Sequence, residues 1–240
     1  HGLASLGGKV VLFGGHDVSK DLDDTWEWDG LAWTQRTVAG PGARDSHAMA
    51  TLGSKVVLYG GSGTGQFLSD TWEWDGTSWT RRTPAGPGPG GRVGHAMAEL
   101  AGSVVLYGGV GSAPDTWVWD GTSWTQHSVA GPGMRAFHAM ATLGNKVILF
   151  GGEQDANHFL ADTWSWDGAA WTQLNVTGPS QRFHHAMTSF EGKIVLFGGG
   201  GATGSSVPFL GDTWIFDGAS WTQSGVSGPP GRYVYALAAR

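Results

Sequence analysis

Cysteine is absent from the chain, which excludes disulfides, thiolate metal sites and cysteine nucleophiles. Charge is scarce as well: Asp, Glu, Lys and Arg make up 14% of the residues, and 20 acids against 14 bases leave a formal net charge of -6. No basic block offsets that balance, so a phosphate backbone is repelled on average and nucleic acid is not an expected partner. No apolar run approaches the ~20 residues that a membrane-spanning helix needs. Glycine and proline punctuate the chain so often that no segment of useful length keeps a 3.6-residue period. No membrane span and no cofactor is expected.

What the chain has in abundance is 42 glycines and 14 tryptophans, far above globular proportions. Both fall at fixed places. Asp24-Thr25-Trp26-Glu27-Trp28-Asp29-Gly30, followed by Leu31-Ala32-Trp33-Thr34, recurs in close variants from Asp70 to Thr80, Asp115 to Thr125, Asp162 to Thr172 and Asp212 to Thr222. Each copy follows an apolar run that closes on a Gly-Gly pair, at 14/15, 60/61, 108/109, 151/152 and 198/199, so the steps are 46, 48, 43 and 47 residues.

The second unit is the clearest. Gly53-Ser54 separates two short runs with β-branched and aromatic residues, which predicts a hairpin. Thr71-Trp72-Glu73-Trp74 alternates aromatic with smaller or polar residues, as a half-buried strand requires. Asp75-Gly76 starts a reversal, Trp79 to Arg82 reads as a fourth strand, and a Pro/Gly linker from Pro84 to Gly91 follows. Four strands repeated at this period predict an all-β propeller with one blade per unit. The units are 1–42, 43–90, 91–133, 134–180 and 181–231, with a surplus copy of the first-strand text at 232–239.

An apolar strand closing on Gly-Gly, a variable loop, Asp-Thr-Trp with a second aromatic and then a lone Trp resembles the kelch repeat, over the whole chain. The resemblance implies a β-propeller of five four-stranded blades. The inner strand of the second blade would be His47-Ala48-Met49-Ala50, lining a central channel, and the outer strand Trp79 to Arg82. Kelch rings more often have six or seven blades, so the alternative is a piece of a larger ring. Inner-strand text stands both at His1 to Leu6 and at Arg232 to Ala238, giving six inner strands for five outer sets; one terminal copy is expected to close the ring and the other to be displaced.

Residues present in every blade are expected to be structural. Trp26, Trp72, Trp117, Trp164 and Trp214, with Trp33, Trp79, Trp124, Trp171 and Trp221, read as core, worth on the order of 2–3 kcal/mol each. Arg44, Arg92, Arg135, Arg182 and Arg232 are expected to tie the linker and the Asp of Asp-Thr-Trp. The series His1, His47, His95, His138 and His185 could hold a metal if the imidazoles converged near the channel, but strand geometry turns alternate residues toward neighbouring blades and the spacing between blades is wide, so no metal ring is expected.

Variation between blades is where a propeller acquires specificity. The resemblance implies ligand contacts from the residues before each inner strand and from the loop after Gly-Gly, at one face. The first set supplies Asp45, Ser46, Phe137, Phe183, His184 and Tyr233; the second supplies Gln66, Glu153, Asn157 and His158. Aromatics mixed with carboxylates, amides and imidazoles suit a protein, a peptide or a glycan.

The expected function is a non-catalytic binding module. A sugar-acting enzyme of the kelch type is the alternative, and it would draw on Glu153, Asp155, His158 and His184; a copper-radical oxidase is excluded because its tyrosine ligand is cross-linked to cysteine. A third reading links molecules by strand exchange through the surplus inner strand. His16 with Asp17 is a loop pair able to meet a cation. Low lysine with abundant Thr, Trp and Gly-rich turns resembles exported bacterial propellers and implies an extracellular or periplasmic place.

Overall fold

The computed structural model describes residues 1–155, 158–201, 208–233 and 236–238, and no helix occurs among them. Blade 1 comprises β1 (Gly2–Leu6), β2 (Lys9–His16), β3 (Asp21–Trp28) and β4 (Trp33–Arg36). Blade 2 comprises β5 (Ala48–Leu52) and β6 (Lys55–Tyr59), a small hairpin of β7 (Ser62–Gly63) and β8 (Gln66–Phe67), then β9 (Thr71–Trp74) and β10 (Trp79–Arg82). Blade 3 is β11 (Ala96–Leu100), β12 (Ser103–Tyr107), β13 (Thr116–Trp119) and β14 (Trp124–His127). Blade 4 is β15 (Ala139–Leu143), β16 (Lys146–Phe150), the hairpin β17 (Glu153–Asp155) and β18 (His158–Phe159), β19 (Thr163–Trp166) and β20 (Trp171–Leu174). Blade 5 begins with β21 (Arg182–Phe183) and β22 (Ala186–Phe190), continues through β23 (Lys193–Phe197) and β24 (Gly200–Gly201), and ends with β25 (Thr213–Phe216) and β26 (Trp221–Gln223). The result is the expected five-bladed β-propeller, each blade a four-stranded antiparallel meander.

Local chemistry sets the turns. In the outer hairpins Asp29, Asp75, Asp120, Asp167 and Asp217 accept the backbone N–H groups two and three residues on, at 2.7–2.9 Å. The glycine after each aspartate then takes a positive φ of 93–102°, which a side chain there would resist.

The core lies between blades. Val57 and Tyr59 of blade 2 share a buried cluster with Leu106, Trp119 and Trp124 of blade 3, and equivalent clusters join blades 1 and 2, 3 and 4, and 4 and 5. The lone Trp of blades 2 to 5 donates its indole N–H to the Thr of the preceding blade's Asp-Thr-Trp: Trp79 to Thr25, Trp124 to Thr71, Trp171 to Thr116 and Trp221 to Thr163, at 2.9–3.0 Å; Trp33 of blade 1, expected in the core with them, is exposed. Burial weight falls on the second aromatic of the word in blades 2 to 5, Trp74, Trp119, Trp166 and Phe216, all fully buried, while Trp28 of blade 1 is half-buried. This corrects the expectation that the first Trp is uniformly core. Trp26, Trp72, Trp164 and Trp214 are half-buried, and their indoles donate instead to the aspartate two residues before.

A backbone joint between blades and a side-chain clamp within each of blades 2 to 5 order the polar end. The N–H of the second glycine of each pair donates to the carbonyl of the next unit's arginine, as Gly15 to Arg44, Gly61 to Arg92, Gly109 to Arg135, Gly152 to Arg182 and Gly199 to Arg232, at 2.8–3.0 Å. A Cβ on the first glycine would meet that same carbonyl, at 2.9 Å for Gly60 and Arg92, and one on Gly61 would lie 2.6 Å from the Asp45 carbonyl oxygen of its own blade, so both places admit only glycine. The side chains of Arg44, Arg135 and Arg182 then grip Asp70, Asp162 and Asp212 through both guanidinium nitrogens, while Arg92 reaches Asp115 through Nη1 and the Pro89 carbonyl through Nη2. Burial pushes the Asp70 carboxyl up, and the hydrogen bonds from Arg44 and Trp72 outweigh it and hold the group below its ordinary value. Arg232 departs from the series: it is exposed, and its Nε donates to the Pro230 carbonyl.

Of the two terminal inner-strand copies, the N-terminal one enters blade 1 as β1, paired with β2 from Gly2 to Leu6. At the C-terminal copy, Ala236 and Leu237 line the channel without belonging to a blade sheet.

Four imidazoles, His47, His95, His138 and His185, are buried just before the inner strands, edge-on to Phe13, Tyr59, Tyr107 and Phe150 of the preceding blade at 5.6–5.9 Å. Burial, aided by nearby positive charge, holds His47 and His138 well below the ordinary imidazole value and His95 and His185 at about 3.

Two expectations follow. Replacing Arg135 with Met strands the Asp162 carboxylate and the Gly151 carbonyl, and should cost about 3–5 kcal/mol in urea unfolding, whereas Arg232→Met should stay within about 0.5 kcal/mol. In the unfolded chain the imidazoles take up protons below about pH 6.5, while the folded ones stay neutral. Their contribution is therefore complete above that pH and is lost as pH falls, by about 1.4 kcal/mol per pH unit for each imidazole. Unfolding measured from about pH 6 down to about pH 4 should give that slope, and His138→Phe should lower it by one imidazole's share.

Candidate functional site

The channel is lined in layers. Below its mouth come His47, His95, His138 and His185, then Ala48, Ala96, Ala139 and Ala186, then Met49, Met97, Met140 and Met187. Towards the far end, hydroxyls stitch the inner strands together: Thr51 donates to the Ser5 carbonyl at 2.5 Å, Thr142 to that of Glu99 and Ser189 to that of Thr142.

At the mouth stands a collar of residues in the left-handed region. Ser46 has φ 52°, Gly94 64°, Phe137 54° and His184 51°. They are joined head to tail across the blades, with Gly94 N–H donating to the Ser46 carbonyl at 3.1 Å, Phe137 to Gly94 at 2.7 Å and His184 to Phe137 at 2.9 Å. A bulky residue such as Phe in this conformation costs about 1–2 kcal/mol relative to glycine. The collar and the histidines beneath it enclose a cavity of about 70 Å³.

Four of the sequence-selected residues meet here. Phe137 and His184 rings lie 4.0 Å apart between centroids, His184 and Tyr233 5.4 Å, Phe183 and His184 5.1 Å, and Phe183 and Tyr233 5.6 Å. Burial lowers His184 to about 4, so its imidazole is neutral at ordinary pH and behaves as one more aromatic ring.

Sequence reasoning missed two rings of the same cluster. Phe159 stacks on Phe183 at 4.8 Å and Phe209 meets Tyr233 edge-on at 4.7 Å. The signal was available: Phe67-Leu68, Phe159-Leu160 and Phe209-Leu210 each stand just before an Asp-Thr-Trp.

The two selected sets are brought together by short antiparallel pairings. Asp45 bridges Ser62, Ala136 bridges Glu153, and Arg182–Phe183 pair with Gly200–Gly201. Glu153 flanks a groove of about 540 Å³ between the loops of blades 3 and 4, with Val110, Ala113 and Met134 opposite. Its carboxyl is pushed up by burial and by the charge of Asp155. Gln66 sits apart, exposed on the blade 2 hairpin. His158 is exposed and engages Asp155 at 2.7 Å. Asn157 lies outside the described residues.

Of the enzyme candidates, Glu153, Asp155 and His158 share the hairpin of β17 and β18, where His158 and Asp155 form a solvated pair, while His184 belongs to the aromatic cluster. Among the described residues, the group with ligand atoms close enough for a metal ion is His16, Asp21 and Asp45. Asp17, expected beside His16, instead caps the backbone N–H groups of Ser19 and Lys20.

Comparison with curated proteins gives no match. The family model of the KLHDC2/KLHL20/DRC7 Kelch-repeats domain matches residues 1–109 and 114–239. Kelch propellers are generally non-enzymatic protein-interaction modules. With every blade carrying the Gly-Gly joint and the Asp-Thr-Trp word, and the match running over nearly the entire sequence, this chain belongs to the kelch-repeat family.

Proposed function

We propose that the channel mouth is a peptide-binding face anchored by Phe137, Phe183, His184 and Tyr233. The observation that supports this reading is the collar itself: blade 3 meets the same backbone geometry with Gly94, while blade 4 places a phenylalanine there. Backbone strain at a side chain that the scaffold does not need is characteristic of binding positions. A contiguous set of rings beside a groove with a half-buried carboxylate also matches the aromatic anchors and polar neighbours by which interaction surfaces hold extended chains. Ser46 and Asp45 continue the same rim on blade 2, and the neutral imidazole of His184 adds no positive charge, so an acidic peptide has no electrostatic advantage here.

Phe137→Gly separates binding from folding, since it reproduces what blade 3 already tolerates. Its unfolding free energy should stay within about 1 kcal/mol of the parent, as relief of strain offsets lost ring contacts. A displayed library of short random peptides panned on the parent should yield binders that lose affinity by about tenfold or more on Phe137→Gly and on the double variant Phe183→Ala/Tyr233→Ala. Binders indifferent to both variants, or enrichment on a glycan array in place of peptides, would rule the reading out.

A further inference from the structure

Two imidazole–carboxylate pairs reach solvent in the loops around the mouth, one in blade 1 and one in blade 4, and their surroundings differ. His16 and Asp21 face each other across the end of the hairpin of β2 and β3, with Nδ1 2.8 Å from Oδ1. His158 and Asp155 make the same contact at 2.7 Å in the hairpin of β17 and β18. Among the described residues, the blade 1 pair alone is met by a third donor. Asp45 reaches it from the segment before β5, and one ligand atom from each of His16, Asp21 and Asp45 lies within 4.8 Å of the other two.

The blade scaffold does not need a carboxylate at Asp45. It follows the seam arginine, and the other units carry Val93, Ala136, Phe183 and Tyr233 at that place. Main-chain bonds nonetheless hold it firmly. The carbonyl of Arg44 takes the Gly15 N–H at 2.8 Å, and Asp45 exchanges both of its backbone groups with Ser62 at 3.0 and 2.9 Å. The first bond lies one residue from both His16 and Asp45, so the spacing of blades 1 and 2 sets the distance between the donors. Rigid elements of this kind are what bring ligands together before an ion arrives.

The charge at this place is also unspent. Among the described residues no lysine or arginine pairs with Asp21 or Asp45. Asp70, Asp115, Asp162 and Asp212, by contrast, are each answered by a buried arginine. The amino group of His1 attracts Asp45, but its own burial favours the neutral form.

We propose that His16, Asp21 and Asp45 form a binding site for a divalent transition-metal ion of the zinc class, bridging blade 1 to blade 2 at the rim of the mouth. Two carboxylates and a neutral imidazole supply two negative charges for a doubly charged ion. The 2.8 Å between Nδ1 and Oδ1 is close to the about 3 Å that separates neighbouring ligands on an ion with bonds of about 2.0–2.2 Å. The imidazole selects zinc and its first-row neighbours over calcium and magnesium, which prefer all-oxygen shells. Three protein donors leave a further position to water.

The full chain, stripped with EDTA and exchanged into metal-free buffer, is titrated calorimetrically with zinc chloride, and cobalt(II) is followed separately by its visible absorption. One ion per chain should bind, and zinc should displace cobalt. His16→Ala, Asp21→Asn and Asp45→Val should each weaken zinc binding at least as far as the loss of a supporting residue does at metal sites, about 10–100-fold. Asp45→Val places there what blade 3 carries as Val93, so its metal-free thermal midpoint should match the parent's, while added zinc should raise the midpoint of the parent and not of the variant. His158→Ala, which breaks the two-donor pair of blade 4, should leave the affinity unchanged. Failure to form a one-to-one complex, zinc binding that survives Asp45→Val, or binding lost on His158→Ala overturns the proposal. Calcium binding that equals zinc and ignores His16→Ala overturns it as well.

Discussion

The joint between the second glycine of one blade and the arginine carbonyl of the next governs the rest of this propeller. A Cβ on the glycine just before it would lie 2.7–2.9 Å from that carbonyl, at Gly14, Gly60, Gly108 and Gly151, so the Gly-Gly backbone itself fixes how far blades stand apart. Once that spacing is set, the arginine side chain is turned back into its own blade to meet the Asp of Asp-Thr-Trp. The threonine beside that aspartate is left facing the next blade, where an indole finds it. Glycine, arginine, aspartate, threonine and tryptophan thus form one connected set of hydrogen bonds per seam, and apolar packing fills the space that this set defines.

Glu27 and Glu73 show how such a scaffold accommodates exceptions. Each is a buried carboxylate gathering a lysine and an arginine from its own blade, Lys9 with Arg36 and Lys55 with Arg82. Each also faces an indole of the next blade, Trp74 or Trp119, at 3.3 Å. Blades 3, 4 and 5 carry Val118, Ser165 and Ile215 at that place, and the Trp166 indole nitrogen is accordingly buried with no hydrogen-bond partner among the described residues. The ring tolerates either solution because the seam is held by the threonine bond and by apolar burial in both.

Blade number, strand order and hairpin positions were legible in the sequence because every one of them is repeated, and repetition converts weak local signals into a register. The arginine–aspartate clamps were legible for the same reason. Which of the two aromatics in Trp-x-Trp faces the interblade space was not, since alternation alone gives two faces without saying which is buried. The difference at Trp33 was equally invisible: its word reads like the others, and only the neighbouring blade decides its burial. At the mouth, Phe137, Phe183, His184 and Tyr233 were found because they break the repeat. Phe159 and Phe209 were overlooked because they sit in loops of unequal length, where position in the unit is hard to count.

The collar also bears on how this protein can change over generations. Its left-handed backbone is held by bonds between main-chain groups, and the same path is followed whether the residue is serine, glycine, phenylalanine or histidine. Side-chain identity at those positions is thereby uncoupled from the integrity of the ring. A single substitution there alters what the rim offers to a ligand while the blades beneath keep their spacing, so new specificities are open to drift and selection without passing through misfolded intermediates.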